Sequence, residues 1–214
     1  MAQVCTRNLS AWSKCAQGWG TARLASEMIL LVAGVSGSGK TTVGALLAER
    51  LNWRFADGDT FHSAANIAKM HAGIPLTDED RQPWLLVITA WMDERTAAGE
   101  SAVVTCSALK RAYREELLDG RPEARMIFLS VDRAEADRRM TARHGHFFPE
   151  RLLSSQFDAL EPPQPDEPGV TVVASGEEGP ADTVAAIIAI VRAGEGARPG
   201  GGRPGHGGDR EAEA

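Results

Sequence analysis

One stretch of the chain has the residue types and spacing to hold a triphosphate. Gly34-Val35-Ser36-Gly37-Ser38-Gly39-Lys40-Thr41, followed by Thr42, fits the pattern G-x-x-x-x-G-K-[ST]. Glycines let successive backbone N–H groups turn inward around a phosphate, and a helix starting at the lysine adds unsatisfied amides and the positive end of its dipole. Lys40 would bridge the terminal phosphates, and Thr41 would ligate Mg2+. No Asn-Lys-x-Asp string is present to read guanine, and the third apolar run ends in Thr105-Cys106-Ser107, where many phosphate-loop proteins carry a metal-holding aspartate. A GTPase switch is therefore disfavoured. At 214 residues the chain is also short for a motor or transporter ATPase, which leaves a small ATP-dependent kinase as the expectation.

A kinase also needs groups for its acceptor. Asp57-Gly58-Asp59-Thr60-Phe61-His62 places two carboxylates two residues apart after a short apolar run. One can face Mg2+ while the other meets a hydroxyl and accepts its proton late in transfer, although such catalysis is mostly positioning and charge neutralisation. The alternative is a plain Asp-Gly-Asp turn whose oxygens cap a helix. The sequence does not decide which carboxylate does which job; the working assignment puts Asp57 with Thr41 on Mg2+ and Asp59 on the hydroxyl.

These residues need a scaffold, and the hydropathy pattern supplies one. The runs 29–33, 54–56, 102–105, 126–131 and 170–173 are strand-length and mostly apolar, as strands covered on both faces are. Between them lie amphipathic stripes: Val43, Leu46, Leu47 and Leu51; Trp84, Ile88 and Trp91; Val184, Ile187, Ile188 and Val191. Alternating strands and helices predict an α/β fold of three layers, a five-stranded parallel sheet with helices on both faces. The phosphate loop then follows the first strand and the acid pair the second, at the carboxyl ends where open α/β sheets bind ligands.

Composition sets limits on this picture. Net charge is -6, with 17 basic against 24 acidic residues in segment 28–192, which is the wrong sign for gripping long nucleic acid. No run approaches the roughly 18 apolar residues of a membrane span. Cys5, Cys15 and Cys106 are too few for a disulfide framework, so a reducing cytoplasm is the expected compartment. Cys106 itself reads as a small buried hydrophobe. Residues 193–214 hold eight glycines and no aliphatic side chain larger than alanine, and are expected to be a disordered tail. Residues 1–27 lack a signal-peptide core and are expected to be a flexible extension, or the product of a start site misplaced upstream of Met28. That leaves 28–192 as the kinase domain.

Further strings make the chain resemble the gluconokinases, small P-loop kinases related in fold to shikimate and nucleoside monophosphate kinases. They are Asn66-Ile67-Ala68-Lys69-Met70, Gly73 to Arg81 with Pro83-Trp84-Leu85, Cys106-Ser107-Ala108-Leu109-Lys110 with Tyr113-Arg114, His146-Phe147, and Ser155-Gln156-Phe157 with Leu160-Glu161. The resemblance implies transfer of the ATP γ-phosphoryl group to the 6-hydroxyl of D-gluconate, with Mg2+ as cofactor and a homodimer as one possible state. Arg81, at a helix start, is a candidate clamp for the gluconate carboxylate, the alternative being an ordinary salt-bridged arginine; His62 and Lys69 are candidates to bond sugar hydroxyls, the alternative being solvated helix positions; Lys110, just beyond the third strand, is a candidate contact for substrate or phosphate. Trp84 fits the core stripe better than a sugar platform. In the related kinases the segment corresponding to 138–149, here RRMTARHGHFFP, is a small lid whose arginines neutralise the transferring group. Arg143 is the favoured residue, with Arg139 or Arg138 as its partner. His144-x-His146 lacks a third ligand for a metal. A kinase for another small acceptor, such as shikimate or a nucleoside monophosphate, and a non-catalytic nucleotide-binding regulator remain alternatives.

Overall fold

A computed structural model of the chain describes residues 27–142, 150–174 and 179–196. Five strands, β1 (Ile29–Ala33), β2 (Arg54–Ala56), β3 (Ala102–Cys106), β4 (Ala124–Ser130) and β5 (Val170–Ala174), form one sheet in the order β2-β3-β1-β4-β5. All four pairings are parallel; Ile29 lies beside Ala102 on one side and Ala124 on the other. The helices are α1 (Lys40–Leu51), α2 (Ala64–His71), α3 (Asp78–Ala97), α4 (Arg111–Leu118), α5 (Arg133–Ala142), α6 (Glu150–Ala159) and α7 (Pro180–Gly196).

The three-layer expectation follows from how β1 divides its side chains. Ile29, Leu31 and Ala33 pack with Trp84, Leu85, Ile88 and Met92 of α3 and with Tyr113 and Leu117 of α4. Leu30 and Val32 point the other way, into Val43 and Leu47 of α1 and Val184, Ile187, Ile188 and Val191 of α7. Strand alternation thus builds two cores, one on each face of the sheet. Every residue of β1 and of β3 is buried, so both strands run through the middle as near-continuous apolar runs.

Three details differ from the sequence reading. β2 is not covered on both faces: it is an edge strand of three residues, with Arg54 and Phe55 exposed. The α3 stripe continues through Met92, fully buried, while Trp91 is only partly buried. α7 runs to Gly196, past the boundary expected at residue 192.

The topology brings the chemistry to one end. β3 lies between β1 and β2, so the loop after β1 and the acid turn after β2 flank the carboxyl end of β3. The Gly34 N–H donates to the Ser107 carbonyl at 3.2 Å, tying the phosphate loop to the segment that follows β3.

Candidate active site

The loop between β1 and α1 has the shape its glycines predict. Gly39 caps α1 with φ 94° and no side-chain cap, and the first turn of the helix carries no acid, so its amides and dipole face the loop without a competing anion. Gly37 sits at φ +80°, and a Cβ there would lie 2.7 Å from the Ala136 carbonyl oxygen. Only glycine fits that close passage beside α5. Lys40 folds back across the loop, its Nζ donating to the Val35 carbonyl at 2.9 Å. Val35 and Ser38 are buried beneath the loop, while Thr41 and Thr42 open onto solvent at the start of α1.

The second strand delivers Asp57 to this loop. Thr41 Oγ1 donates to Asp57 Oδ2 at 2.9 Å, so two hard oxygens stand together at the N-terminus of α1. Asp57 Oδ1 accepts from Thr105 Oγ1 at 2.8 Å and from the Asp59 N–H at 3.1 Å. Thr105 also accepts the Gly58 N–H at 3.1 Å. The Thr105 hydroxyl at the end of β3 therefore orients the carboxylate that the neighbouring strand delivers. Asp59 differs: its carboxylate is exposed and makes no hydrogen bond or ion pair to any described residue. The turn caps the short helix that follows with an oxygen of Asp57, as the plain-turn reading expects, and leaves the Asp59 carboxylate open to solvent.

Trp84 and His62 complete this side. Trp84 is buried in the core, as its stripe predicts, yet its Nε1 donates to the Gly58 carbonyl at 2.7 Å and its ring stacks on His62 with centroids 4.3 Å apart. His62 Nδ1 is buried with no hydrogen-bond partner among the described residues. Burial pushes the imidazole below the usual histidine range, Asp59 pulls it upward, and Arg81 pushes it down.

The cations expected to meet a substrate carry partners of their own. Asp78 Oδ1 accepts from Tyr113 OH at 2.5 Å and Asp78 Oδ2 pairs with Lys110 Nζ at 2.7 Å, while the Arg81 guanidinium stands 3.9 Å from the same carboxylate. The Lys110 and Tyr113 hydrogen bonds hold the Asp78 carboxyl below its ordinary range. Arg81, Lys110 and Tyr113 thus form one cluster around an exposed acid at the start of α3. Lys69 lies apart from that carboxylate, pairing with Asp80 at 2.6 Å. Asp80 is also half of a capping box with Thr77, so the three first-turn acids of α3 split between capping the helix and balancing nearby cations.

On the far side of the loop, Arg139 in α5 donates to the Gly37 carbonyl at 3.5 Å and to Glu135 at 2.5 Å. Arg138 is brought to Glu135 as well but is mostly exposed and makes no hydrogen bond or ion pair to the loop, consistent with the turn of about 100° that separates successive helical residues. Arg143, His144 and His146 lie outside the described residues. The residue that sequence reasoning missed is Gln156, whose carboxamide bonds Ser36 through both of its polar atoms. Its place in the Ser155-Gln156-Phe157 string was the available signal. Cys106 is fully buried and its thiol is pushed up to about 12 by desolvation, as an inert core residue should be.

Mg2+ suits this donor set. Hard oxygens from a hydroxyl and a carboxylate meet at the loop that would carry the phosphates, whereas no group of three or more His, Cys, Asp or Glu capable of holding a metal occurs among the described residues. That pattern fits a cation held chiefly by one or two protein oxygens and the phosphates, and does not fit an all-protein cage. No helix among the described residues is long and apolar enough to cross a membrane.

Comparison with known proteins agrees with the geometry. A family model described as an AAA domain matches residues 29–163. A gluconokinase of Gluconobacter oxydans is 48% identical over 151 residues, covering 71% of this chain and 84% of its own length. The crystal structure of a sugar kinase from Janibacter sp. HTCC2649 superposes with a TM-score of 0.72 at 43% identity, covering 78% of this chain and 95% of that one. A gluconokinase structure from Sinorhizobium meliloti 1021 gives a TM-score of 0.68 at 38% identity, covering 80% and 97%. By fold, phosphate loop and likeness over most of its length, the chain belongs to the gluconokinase family of P-loop kinases.

Proposed function

We propose that the chain is a gluconokinase that transfers the γ-phosphoryl group of ATP to the 6-hydroxyl of D-gluconate, giving 6-phospho-D-gluconate and ADP. The observation that carries this reading is the Thr41–Asp57 contact, which joins a phosphate loop to an acid turn in a chain 48% identical to a gluconokinase. The activity is assigned to residues 28–192, and the three scattered cysteines support placing it in a reducing cytoplasm.

In the proposed mechanism, residues 34–42 cradle the phosphates with backbone amides, and Lys40 leaves its resting bond to Val35 to bridge the terminal phosphates. Thr41 and Asp57 are the residues that would hold Mg2+, which supplies neutralising charge to the phosphate oxygens. Asp59, exposed and unpaired among the described residues, accepts the proton of the 6-hydroxyl as the new P–O bond forms. Arg81 and Lys110 bind the gluconate carboxylate in exchange for Asp78, and His62 bonds a sugar hydroxyl. Arg139 neutralises phosphate charge from the α5 side, with Arg143 proposed beside it from its spacing of four residues. Lys69 bonds a sugar hydroxyl and Arg138 adds to the positive field at the phosphates, each exchanging its resting partner, Asp80 or Glu135.

An ADP-release assay across acceptors tests the reading. Turnover is expected with D-gluconate and not with shikimate or a nucleoside monophosphate. Turnover with another acid and none with gluconate overturns the substrate, and ATP binding without acceptor-dependent ADP release overturns the enzyme.

A further inference from the structure

We propose that Gln156 is a positioning residue for nucleotide binding, a carboxamide clasp that holds the apex of the phosphate loop in its receptive shape. Gln156 Oε1 accepts the Ser36 N–H at 2.7 Å, and Gln156 Nε2 donates to Ser36 Oγ at 2.9 Å. A carboxamide is suited to this because it offers an acceptor and a donor side by side without charge. It fixes the peptide and the side chain of one loop residue together.

The clasp completes the hold on one peptide at the apex of the loop. Ser36 lies at the top of the turn, between buried Val35 and the glycine at φ +80°. Within the loop the Val35 carbonyl, the oxygen end of that same peptide, accepts from the Ser38 N–H and from Lys40 Nζ. Gln156 holds the nitrogen end of the peptide and the Ser36 hydroxyl from outside, and its hold stays in place when Lys40 turns to the phosphates. It does so from a fixed support: Leu152 and Leu153 bury one face of α6, Arg133 of α5 donates to Ser154 Oγ at 2.5 Å, and the Arg133 guanidinium lies 5.8 Å from the Phe157 ring centroid. On the next residue of the loop, α5 contributes the close Ala136 backbone and the Arg139 bond to the Gly37 carbonyl.

Neutrality is part of the design. A glutamate at this position would accept the same N–H but set an anion beside a site for polyphosphate. If the clasp keeps the apex receptive, losing it lowers the fraction of molecules able to bind nucleotide, and the apparent affinity falls by that same fraction. The acceptor side is built on other elements and is unaffected.

This rests on the loop being the ATP site, which calorimetric titration of the unaltered protein with a magnesium complex of a non-hydrolysable ATP analogue tests separately. Absence of binding there overturns the parent reading. With binding established, Gln156→Ala is expected to weaken the analogue about tenfold and raise KM for ATP alike, with KM for gluconate and the melting temperature nearly unchanged. Gln156→Glu, nearly isosteric, is expected to weaken it further at an equally preserved melting temperature. Wild-type affinity in both variants overturns the proposal. So does a parallel rise in both KM values with a lowered melting temperature, which is what loss of mere packing support would give.

Discussion

The indole Nε1 of Trp84 donates to the carbonyl of Gly58 at 2.7 Å, so a core residue of α3 holds the peptide between the two carboxylates of the acid turn. The same glycine gives its N–H to Thr105, and a Cβ on it would come within 2.0 Å of the Thr105 carbonyl oxygen. Trp84→Phe keeps the ring and removes the donor, leaving a buried carbonyl unsatisfied. Urea unfolding should show a loss of about 1–3 kcal/mol. Steady-state kinetics should show a lower kcat as Asp59 loses its placement; an unaltered kcat would mean that the turn holds its shape without the indole.

Lys40→Ala should lower turnover at least about a hundredfold, roughly 3 kcal/mol on the barrier, while the circular dichroism spectrum stays native. Asp59→Asn should depress kcat more than ATP affinity. Should that variant lose only nucleotide binding, Asp59 belongs to the metal and the roles of the two acids are reversed.

Arg114 and Glu167 form an ion pair almost fully withdrawn from water, with side-chain exposures of 1% and 3%. The guanidinium also holds the carbonyls of Ala108, itself at φ 44°, and of Leu109. Arg114→Met strands a buried carboxylate and should cost about 3–5 kcal/mol in denaturant unfolding. Replacing Glu167 by Leu in the same chain should recover much of that loss, which a role for Arg114 in solvent-facing chemistry would not produce.

Stability should fall on mild acidification because of His62. Its folded pKa lies below the ordinary value of 6.5 through burial. Above that value both states are neutral there and the group contributes nothing. Below it the unfolded chain takes the proton first, so the unfolded state gains and stability declines until the folded pKa is passed. Urea midpoints across that window should slope for the wild type and slope less for His62→Gln; equal slopes would remove His62 as the cause.

Cys106 should resist alkylation in the folded protein. Its thiol is buried and its pKa is pushed up to about 12, so almost no thiolate is present at neutral pH. Peptide mapping after iodoacetamide should find it modified only when denaturant is added; rapid labelling of the native protein at this residue would contradict the burial.

Elements that follow from local rules were legible in the sequence. The phosphate loop, the strand that precedes it and the stripes of α1 and α7 depend on glycine, alternation and helical period, all of which are written within a few residues. Cys106 was legible for the same reason. What escaped was decided by pairs distant in the chain. Lys69 and Lys110 look like free cations until Asp80 and Asp78 are seen beside them, 11 and 32 residues away. The edge position of β2 depends on strand order, which no single strand encodes. Trp84 has a ring that the stripe predicts and an N–H whose partner only the tertiary fold supplies.

The contacts around Gly58 have a mechanical consequence. Because the acid turn is fastened to the end of β3 and hydrogen-bonded to Thr41 of α1, the phosphate loop and the proposed proton acceptor belong to one frame. Their separation is established when the chain folds and does not wait for a ligand to arrive, so the entropy of bringing them into line has already been met.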